Sequence, residues 1–246
     1  MPKTPKKKEP QLIKPMEQYP EIEYVTTGVE ELDKLFHGFP RGRLTEVYGK
    51  KSVGKTTLSM YMLKAISQDH KVLFIDAENA LNINRLRDIG GDLKNVDYST
   101  ISYLEDIGEL IHDNLDKYDV IILDSVAGTI TRTEQQSEVG SHNVGNKGKV
   151  MNSIFSRRLP ELVAKTNCAL VLINQLRDSF SMYGDKEYTP GGKAIEYGAS
   201  LRVHLNTLAT DRIMDGKEQT GHWVSAKVTK SKISQPYQSA RFKIMY

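Results

Sequence analysis

Apolar runs alternate with amphipathic stretches along most of the chain. Four runs are apolar enough to be buried strands: RLTEVYG (43–49), KVLFIDA (71–77), YDVIILDS (118–125) and CALVLINQ (168–175). Three stretches between them have the apolar spacing of helices: GKTTLSMYMLKAISQ (54–68), SYLEDIGELIHDNLDK (102–117) and KVMNSIFSRRLPELVAKT (149–166). This alternation predicts an α/β fold with a mostly parallel, twisted sheet and helices on both of its faces.

The two ends of this pattern differ from its middle. Ahead of the first strand, TTGVEELDKLFHGFPRG predicts a short helix that Thr26 or Thr27 caps and that the GFPRG turn ends. After residue 199 only strand-like segments follow: SLRVHL (200–205), HWVSAKVTKSK (222–232) and RFKIMY (241–246). These predict an antiparallel extension of the same sheet at its C-terminal end. Within helix 149–166, Pro160 predicts a kink.

Composition narrows the class of protein. Of the 246 residues, 39% are hydrophobic and 26% are charged, which is typical of a soluble globular protein. No apolar run approaches the roughly 18 residues that indicate a membrane span, and no secretory signal opens the chain, so we expect no membrane contact. The single cysteine, Cys168, cannot form an internal disulfide, so a reducing cytoplasm is the expected compartment.

Net charge is concentrated near the N-terminus. Residues 1–14 hold five lysines and one glutamate, a net charge of +4, so the remaining chain carries −1 of the total of +3. Bulk charge therefore does not predict a nucleic-acid-binding core. We interpret residues 1–20 as a basic, flexible tail and residues 21–246 as one core domain.

The strongest motif is GKKSVGKT at Gly49–Thr56, which fits the phosphate-loop pattern G-x-x-x-x-G-K-[ST] at every fixed position. It follows a predicted strand and opens a predicted helix, where backbone N–H groups face bound phosphates. The motif predicts ATP and Mg²⁺ as cofactors, with Lys55 on the β- and γ-phosphates and Thr56 on the metal. The predicted nucleotide-binding loop residues are Gly49, Lys50, Lys51, Ser52, Val53, Gly54, Lys55, Thr56 and Thr57.

Carboxylates follow two of the other strands. Asp124 ends the strand VIILD, where it can support the bound Mg²⁺ together with Thr56. Glu78 lies just past the strand LFIDA and is a candidate to orient and deprotonate a water that attacks ATP. Asp76, two residues earlier, competes for that role by proximity.

Several segments together resemble RecA-type strand-exchange recombinases of the bacterial and phage branch. They occur in the family's order: TTGVEELD, GKKSVGKTTL, FIDAENALN, IILDSVA, LVLINQLR, TPGGKAIEYGASLRV and TKSKISQPYQSARFKIMY. The phosphate loop is common to many ATPases, whereas the combination of INQLR, the GG pair and TKSKI is far more restrictive. The resemblance covers about residues 25–246 and implies the family's core ATPase domain without its C-terminal domain.

The resemblance implies roles for individual residues at the nucleotide. It makes Glu78 the catalytic glutamate and Gln175 the sensor of the γ-phosphate. Lys230 and Lys232 would reach the ATP of the neighbouring subunit as catalytic cations, and Tyr246 would lie near the adenine across that interface. The remaining predicted nucleotide-binding residue is Arg85. It stands where the bacterial family has an adenine-stacking tyrosine, and an arginine can also lie flat on a base.

The resemblance also implies two DNA-binding loops, Thr133–Gly145 and Phe180–Gly192. Charges within 177–193 cancel, so the second loop should hold phosphates by backbone N–H groups and contact bases with apolar side chains. The predicted DNA-binding residues are Asn143, Lys149, Arg157, Arg158, Arg177, Phe180, Met182, Gly191 and Gly192.

The expected function is that of an ATP-dependent DNA recombinase core. It would assemble on single-stranded DNA as a helical filament with ATP between subunits, hydrolyse ATP when DNA is bound, and exchange strands with duplex DNA. Further expected partners are single-strand-binding or loader proteins, and the expected setting is the nucleoid or a phage-infected cytoplasm. Two alternatives stay open: a recombination mediator that binds ATP structurally, and a ring-forming motor on the same core.

Overall fold

A computed structural model describes residues 16–18, 20–136, 144–178 and 187–246. The strands are β1 (Tyr24–Val25), β2 (Phe39–Pro40), β3 (Arg43–Gly49), β4 (Val72–Asp76), β5 (Val96–Ser99), β6 (Val120–Asp124), β7 (Ala169–Gln175), β8 (Arg177–Asp178), β9 (Glu187–Tyr188), β10 (Leu201–Asn206), β11 (Arg212–Asp215), β12 (Glu218–Ser231) and β13 (Ser239–Met245). The predicted tail, residues 1–20, lies mostly outside the described residues.

The α-helices are α1 (Glu30–Phe36), α2 (Lys55–Ile66), α3 (Ile83–Asp88), α4 (Leu104–His112), α5 (Arg132–Gln136), α6 (Val144–Met151), α7 (Leu159–Val163) and α8 (Gly192–Gly198). A π-helical segment, Asn152–Arg158, joins α6 to α7, and 3₁₀ turns lie at Met16–Gln18 and Val126–Gly128. Among the helices of the described residues, none combines the length and the apolar composition that crossing a bilayer requires.

One nine-stranded sheet organises the fold. Its order is β11-β12-β10-β3-β7-β6-β4-β5, and β13 pairs with β12. The strands from β10 to β5 are parallel to their neighbours, and the pairs that involve β12 are antiparallel. The structure therefore confirms the predicted fold class, a mostly parallel sheet with an antiparallel extension.

Burial follows from this topology. Every residue of β4 and β6 is buried, because helices cover both faces of the parallel strands, whereas β10 and β13 alternate between buried and more exposed residues. One apolar cluster, which includes Phe36, Leu63 and Phe74, packs on one face of the sheet. A second cluster, which includes Ile107 and Phe155, packs on the other face.

The structure corrects the sequence pattern at several points. β10 was expected within the antiparallel extension but runs parallel to β3, so the change of direction comes at β12. The edge strand β5 and the short helix α3 were not predicted; β5 has only 4 residues, so its alternation of apolar and polar residues is too short to be a strong signal. Near Pro160, where a kink was predicted, the structure has a π-helical segment that ends two residues before the proline.

The start of α1 also differs from its prediction. Its N-cap residue is Val29, and neither predicted threonine caps the helix from that position. Asp33 in the helix instead accepts hydrogen bonds from the Thr26 hydroxyl at 2.5 Å and from the Thr27 backbone N–H at 2.7 Å. The helix therefore fixes the preceding segment through a side chain in its interior.

Candidate functional site

The carboxyl ends of the neighbouring parallel strands β3, β7, β6 and β4 meet at one edge of the sheet. The loops that follow them surround a cavity of about 430 Å³. Its lining residues are Lys51, Ser52, Gly54, Lys55, Thr56, Thr57, Glu78, Arg85, Asp124, Ser125, Gln175, His222 and Tyr246. Open α/β sheets bind ligands at such an edge, so this cavity is the candidate nucleotide site.

Gly54 closes the phosphate loop where α2 begins. Its φ of 97° lies in the left-handed region, which glycine adopts without steric cost. A Cβ atom at this position would lie 2.1 Å from Cδ1 of Ile244 in β13. Both the turn and the contact with β13 therefore require a glycine here.

Lys55, the first residue of α2, is buried beside the loop. Its Nζ donates hydrogen bonds to the carbonyl oxygens of Gly49 at 2.9 Å and Lys50 at 2.7 Å. Burial lowers the pKa of Lys55, while the carboxylates of Asp124 and Glu78 raise it. The ammonium group thus lies against the loop backbone, next to the start of α2, where phosphates would meet successive N–H groups.

Six of the nine predicted loop residues line the cavity, and the other three have different contacts. Gly49 contributes its carbonyl oxygen to Lys55. Lys50 is turned outward, with its Nζ 2.6 Å from Glu187, within the second predicted DNA loop, and 3.6 Å from Asp178, just before that loop. Val53 is buried, and its carbonyl oxygen lies 3.3 Å from Nε2 of His222.

Asp124 and Thr56 supply the oxygen atoms that a Mg²⁺ ion prefers. Both line the cavity, and one carboxylate oxygen of Asp124 accepts a hydrogen bond from the Ser59 hydroxyl at 3.2 Å. Burial raises the pKa of Asp124 from its ordinary 3.8 to about 6, the Ser59 hydrogen bond lowers it, and the charges of Glu78 and Asp76 raise it. This hard oxygen donor set fits the predicted metal, whose charge would favour the ionised carboxylate.

The two acids after β4 have different partners. Asp76 is buried and accepts hydrogen bonds from the backbone N–H groups of Glu78 at 3.3 Å, Ala80 at 3.1 Å and Leu81 at 2.9 Å. It therefore shapes the loop and does not line the cavity. Glu78 does line the cavity.

Glu78 and Gln175 are in direct contact. Nε2 of Gln175 donates to Oε1 of Glu78 at 2.9 Å, and the hydroxyl of Ser125 donates to the same oxygen. The predicted base and the predicted sensor thus share one hydrogen-bond group at the cavity. Ser125 was not predicted; its only signal was its place directly after Asp124.

The far end of the cavity carries Arg85 and Tyr246, with a histidine that the sequence did not indicate. The Arg85 guanidinium donates to the carbonyl oxygen of Met245 at 3.1 Å. Nδ1 of His222 lies 3.0 Å from the Tyr246 hydroxyl. Since the Val53 carbonyl can only accept, His222 donates through Nε2 and accepts through Nδ1. Tyr246 lies at the cavity of its own chain, whereas the resemblance implied a role across a subunit interface.

Lys230 and Lys232 lie away from this cavity. The Lys230 ammonium donates to the carbonyl oxygens of Glu196 and, at 3.3 Å, of Tyr197, which end helix α8. Along β12, Lys230 is eight residues from His222, roughly 25 Å at the rise of a β-strand. Burial lowers the pKa of Lys230, as do the charges of Lys232 and Arg202. Neither lysine lines the ATP cavity of its own chain.

A second cavity, of about 480 Å³, lies where the flanks of the two predicted DNA loops meet. It is lined by Ala127, Glu134, Lys147, Gly148, Met151, Arg177, Tyr188, Thr189, Pro190, Gly191 and Gly192. Lys147 was not predicted, since one lysine in a polar helix carries no signal. It donates to the carbonyl oxygen of Thr129 and lies 3.8 Å from Glu134, and burial lowers its pKa.

Of the other predicted DNA-binding residues, some are exposed on helices and some lie outside the described residues. Lys149, Arg157 and Arg158 are exposed on α6 and the π-helical segment. Asn143, Phe180 and Met182 lie outside the described residues.

The prediction that both glycines expose free N–H groups is corrected at Gly192. Its N–H donates to the carbonyl oxygen of Thr189 at 2.8 Å, because residues 189–192 form a tight turn. Gly191, with φ of 85°, is the left-handed residue of that turn.

The sheet order, the phosphate loop and the acids at the strand ends define a P-loop protein with a RecA-like core. A family model described as the RecA N-terminal domain matches residues 10–246. The chain therefore belongs to the RecA family, and the resemblance carried by its motifs is confirmed at that level.

Its relatives include proteins named RecA from several bacteria. That of Aquifex aeolicus (strain VF5) is 35% identical over 232 residues, which are 92% of this chain and 66% of the relative. Those of Clostridium tetani and Clostridium acetobutylicum are 35% and 36% identical over 92% of this chain, and each is covered to 65% of its length. The chain thus spans slightly less than two thirds of the length of these relatives.

Proposed function

We propose that this chain is the ATPase core of a DNA recombinase, which assembles on single-stranded DNA and pairs it with homologous duplex DNA. The observation that carries the proposal is the meeting of Lys55, Asp124, Glu78 and Gln175 at one cavity. From Gln175 the chain continues directly into β8, which leads into the second predicted DNA loop. Nucleotide binding and DNA binding would therefore share one strand end.

At the nucleotide, each group has a separate task. Loop N–H groups and Lys55 would hold the phosphates, and Thr56 and Asp124 would hold Mg²⁺, which neutralises phosphate charge. Glu78 would orient a water molecule and accept its proton. The Gln175 amide, which now donates to Glu78, would donate to the γ-phosphate when ATP is present. On hydrolysis it would return to Glu78, and DNA would be released.

The proposed trans role of Lys230 and Lys232 comes from the resemblance, and their distance from the cavity of their own chain supports it. In a head-to-tail assembly they would face the ATP of a neighbouring subunit and stabilise charge on the transferred phosphate. A filament would then hydrolyse ATP only at assembled interfaces. The second cavity, which Arg177 and Lys147 both line, would lie along the DNA path.

The direct test is ATP hydrolysis with and without single-stranded DNA, followed by a strand-exchange assay with homologous duplex. We expect DNA to stimulate hydrolysis and a slowly hydrolysed ATP analogue to retain the DNA. Absence of both effects would overturn the proposal. ATP binding and DNA binding without strand exchange would instead favour the recombination mediator.

Electron microscopy with single-stranded DNA and the same analogue separates the third possibility. We expect helical filaments on DNA. Closed rings that unwind duplex DNA would favour a motor on the same core. In each case the expected compartment, the cytoplasm, follows from the proposed function and from the lone buried cysteine.

A further inference from the structure

Three polar residues form a buried cluster directly behind Gln175. Glu46 and Asn174 have no exposed surface, and the Arg202 side chain is 12% exposed. Polar groups at such depth are tolerated when each is hydrogen-bonded. These three residues, Glu46, Asn174 and Arg202, are named the buried polar cluster below.

Asn174 uses its side-chain amide completely. Its Nδ2 donates to Oε1 of Glu46 and to the carbonyl oxygen of Pro190, each at 2.8 Å. Its Oδ1 accepts from the backbone N–H of Gln175 at 2.9 Å. The partners fix the orientation of the amide, because two of them can only accept in this arrangement and the third can only donate.

Glu46 extends the cluster to the other side of the same turn. Its second carboxylate oxygen lies 2.6 Å from Nε of Arg202, and the Arg202 guanidinium lies 3.5 Å from Glu196 in α8. The cluster therefore holds the chain immediately before Gly191, at Pro190, and five residues after it, at Glu196. The last carbonyls of the same helix accept from Lys230.

The geometry points to Asn174 as a positioning residue that transmits the state of Gln175 to Pro190, and so to the Gly191–Gly192 turn; this rests on the proposed function. Consecutive residues of a strand face opposite sides, so Gln175 faces the cavity while Asn174 faces the turn. If Gln175 exchanges Glu78 for a γ-phosphate, the end of β7 shifts with it. Asn174 then moves the Pro190 carbonyl with it, because the Asn174 side chain is hydrogen-bonded both to the Gln175 backbone and to that carbonyl.

Glu46 supplies the fixed side of this arrangement. It lies in β3, the strand that leads into the phosphate loop, and β3 pairs with β7 residue by residue up to Gly49 and Gln175. Through Asn174 and Arg202, Glu46 thus connects β3, which ends at the phosphate loop, to the Gly191–Gly192 turn, which borders the second cavity. A packed interior transmits such shifts because it holds few discrete arrangements.

The test compares DNA affinity in two nucleotide states. Fluorescence anisotropy of a labelled single-stranded oligonucleotide gives the dissociation constants with a slowly hydrolysed ATP analogue and with ADP, and their ratio measures coupling. We expect Asn174→Asp, which removes both Nδ2 donors, to reduce that ratio about tenfold, the order of one or two lost hydrogen bonds. Nucleotide affinity, measured with a fluorescent analogue, should change much less than the ratio.

Two further variants separate positioning from simple stability. Ile173→Ala, at a fully buried neighbour on the same strand, should lower thermal stability and leave the ratio intact. In the double variant Asn174→Asp with Glu46→Gln, the introduced amide can donate to the introduced carboxylate, while Pro190 stays without a donor. We expect the double variant to regain stability over Asn174→Asp alone without regaining the ratio.

Each outcome bears on a different claim. A ratio that returns together with stability in the double variant, or that is unchanged in Asn174→Asp, overturns the positioning role while the proposed function stands. Gln175→Ala serves as the reference for full uncoupling. A wild-type ratio near one overturns the proposed function itself, and the inference with it.

Discussion

The two ends of strand β12 show two different kinds of site. Near its start, His222 lines a cavity whose phosphate loop, acids and sensor all come from one chain. Near its end, Lys230 lies roughly 25 Å away along the strand and donates to the carbonyl oxygens that end α8. The first site is complete within the chain, whereas the second has cations but no phosphate site of its own. Under the proposed function, ATP binding would need one chain, whereas ATP turnover would need an assembled interface.

The broadest effect should come from breaking the complete site, because ATP binding and DNA retention would both be lost. We expect Lys55→Ala to weaken ATP binding by about a hundredfold or more, because a charge-assisted contact to the phosphates is lost. ATP-dependent retention of single-stranded DNA should disappear with it. Lys64→Ala, an exposed lysine in the last turn of the same helix, is the matched control and should bind normally. Equilibrium titration with a fluorescent ATP analogue checks both; normal affinity in Lys55→Ala would contradict the role of the loop.

The second prediction tests whether the other end of β12 works in trans. Lys230→Ala and Glu78→Gln should each lower DNA-stimulated ATP turnover by about a thousandfold. This is the size of the loss expected when a trans-acting cation is removed from a phosphoryl-transfer site. In an equal mixture, about a quarter of head-to-tail interfaces combine an intact Glu78 with an intact Lys230. Turnover should therefore rise to about that fraction of the wild-type value. A mixture as inactive as its components would show that both residues act within one chain.

A third prediction concerns the cost of burying an acid in the complete site. The pKa of Asp124 is raised from 3.8 to about 6, so the folded protein favours the protonated acid. The resulting destabilisation is absent below about pH 4, grows as pH rises through about 6, and is then complete, on the order of 3 kcal/mol. Without nucleotide and metal, Asp124→Asn should therefore raise the free energy of unfolding at pH 7 and leave it nearly unchanged at pH 4.

Denaturant unfolding in a chelating buffer at both pH values checks this. The difference between variant and wild type is the quantity of interest, since it cancels the contribution of carboxylates that do not interact with Asp124. A gain of the same size at pH 4 and pH 7 would contradict the burial of an ionised Asp124 as its cause.

The smallest predicted effect concerns the end of helix α8, whose last carbonyl oxygens accept hydrogen bonds from Lys230. A Cβ on Gly198 would lie 2.0 Å from the Phe155 carbonyl oxygen in the π-helical segment. We expect Gly198→Ala to cost about 2 kcal/mol of stability, since backbone must move to admit the methyl group. Gly148→Ala meets nothing within 4 Å and should instead be neutral or stabilising. Thermal unfolding of the two variants checks the difference in sign.

Sequence reasoning reached the complete site because its signals are local. The phosphate loop is eight consecutive residues, and Asp124 and Glu78 each follow an apolar run. Strand direction was harder: the sequence grouped β10 with the antiparallel strands, although its pairing with β3 is parallel. The sequence pattern of a short strand does not show whether the strand pairs in parallel or antiparallel, because tertiary packing decides which strand lies next to it.

The residues that were missed are those whose partners are distant in sequence. His222 meets Val53 across 169 residues, and Glu46 meets Asn174 across 128. A lone buried carboxylate or histidine has no pattern that separates it from any other polar residue. The roles of Lys230 and Lys232 came from the resemblance alone, because alternating lysines on a strand are also typical of a solvated face.

The close approach of Gly54 to Ile244 has a consequence for biosynthesis. The phosphate loop leaves the ribosome long before β13 does, yet β13 forms the wall against which Gly54 packs. A nascent chain therefore carries the entire GKKSVGKT motif before the cavity beside it is complete. Under the proposed function, ATP would by mass action stabilise chains synthesised through β13 more than incomplete ones.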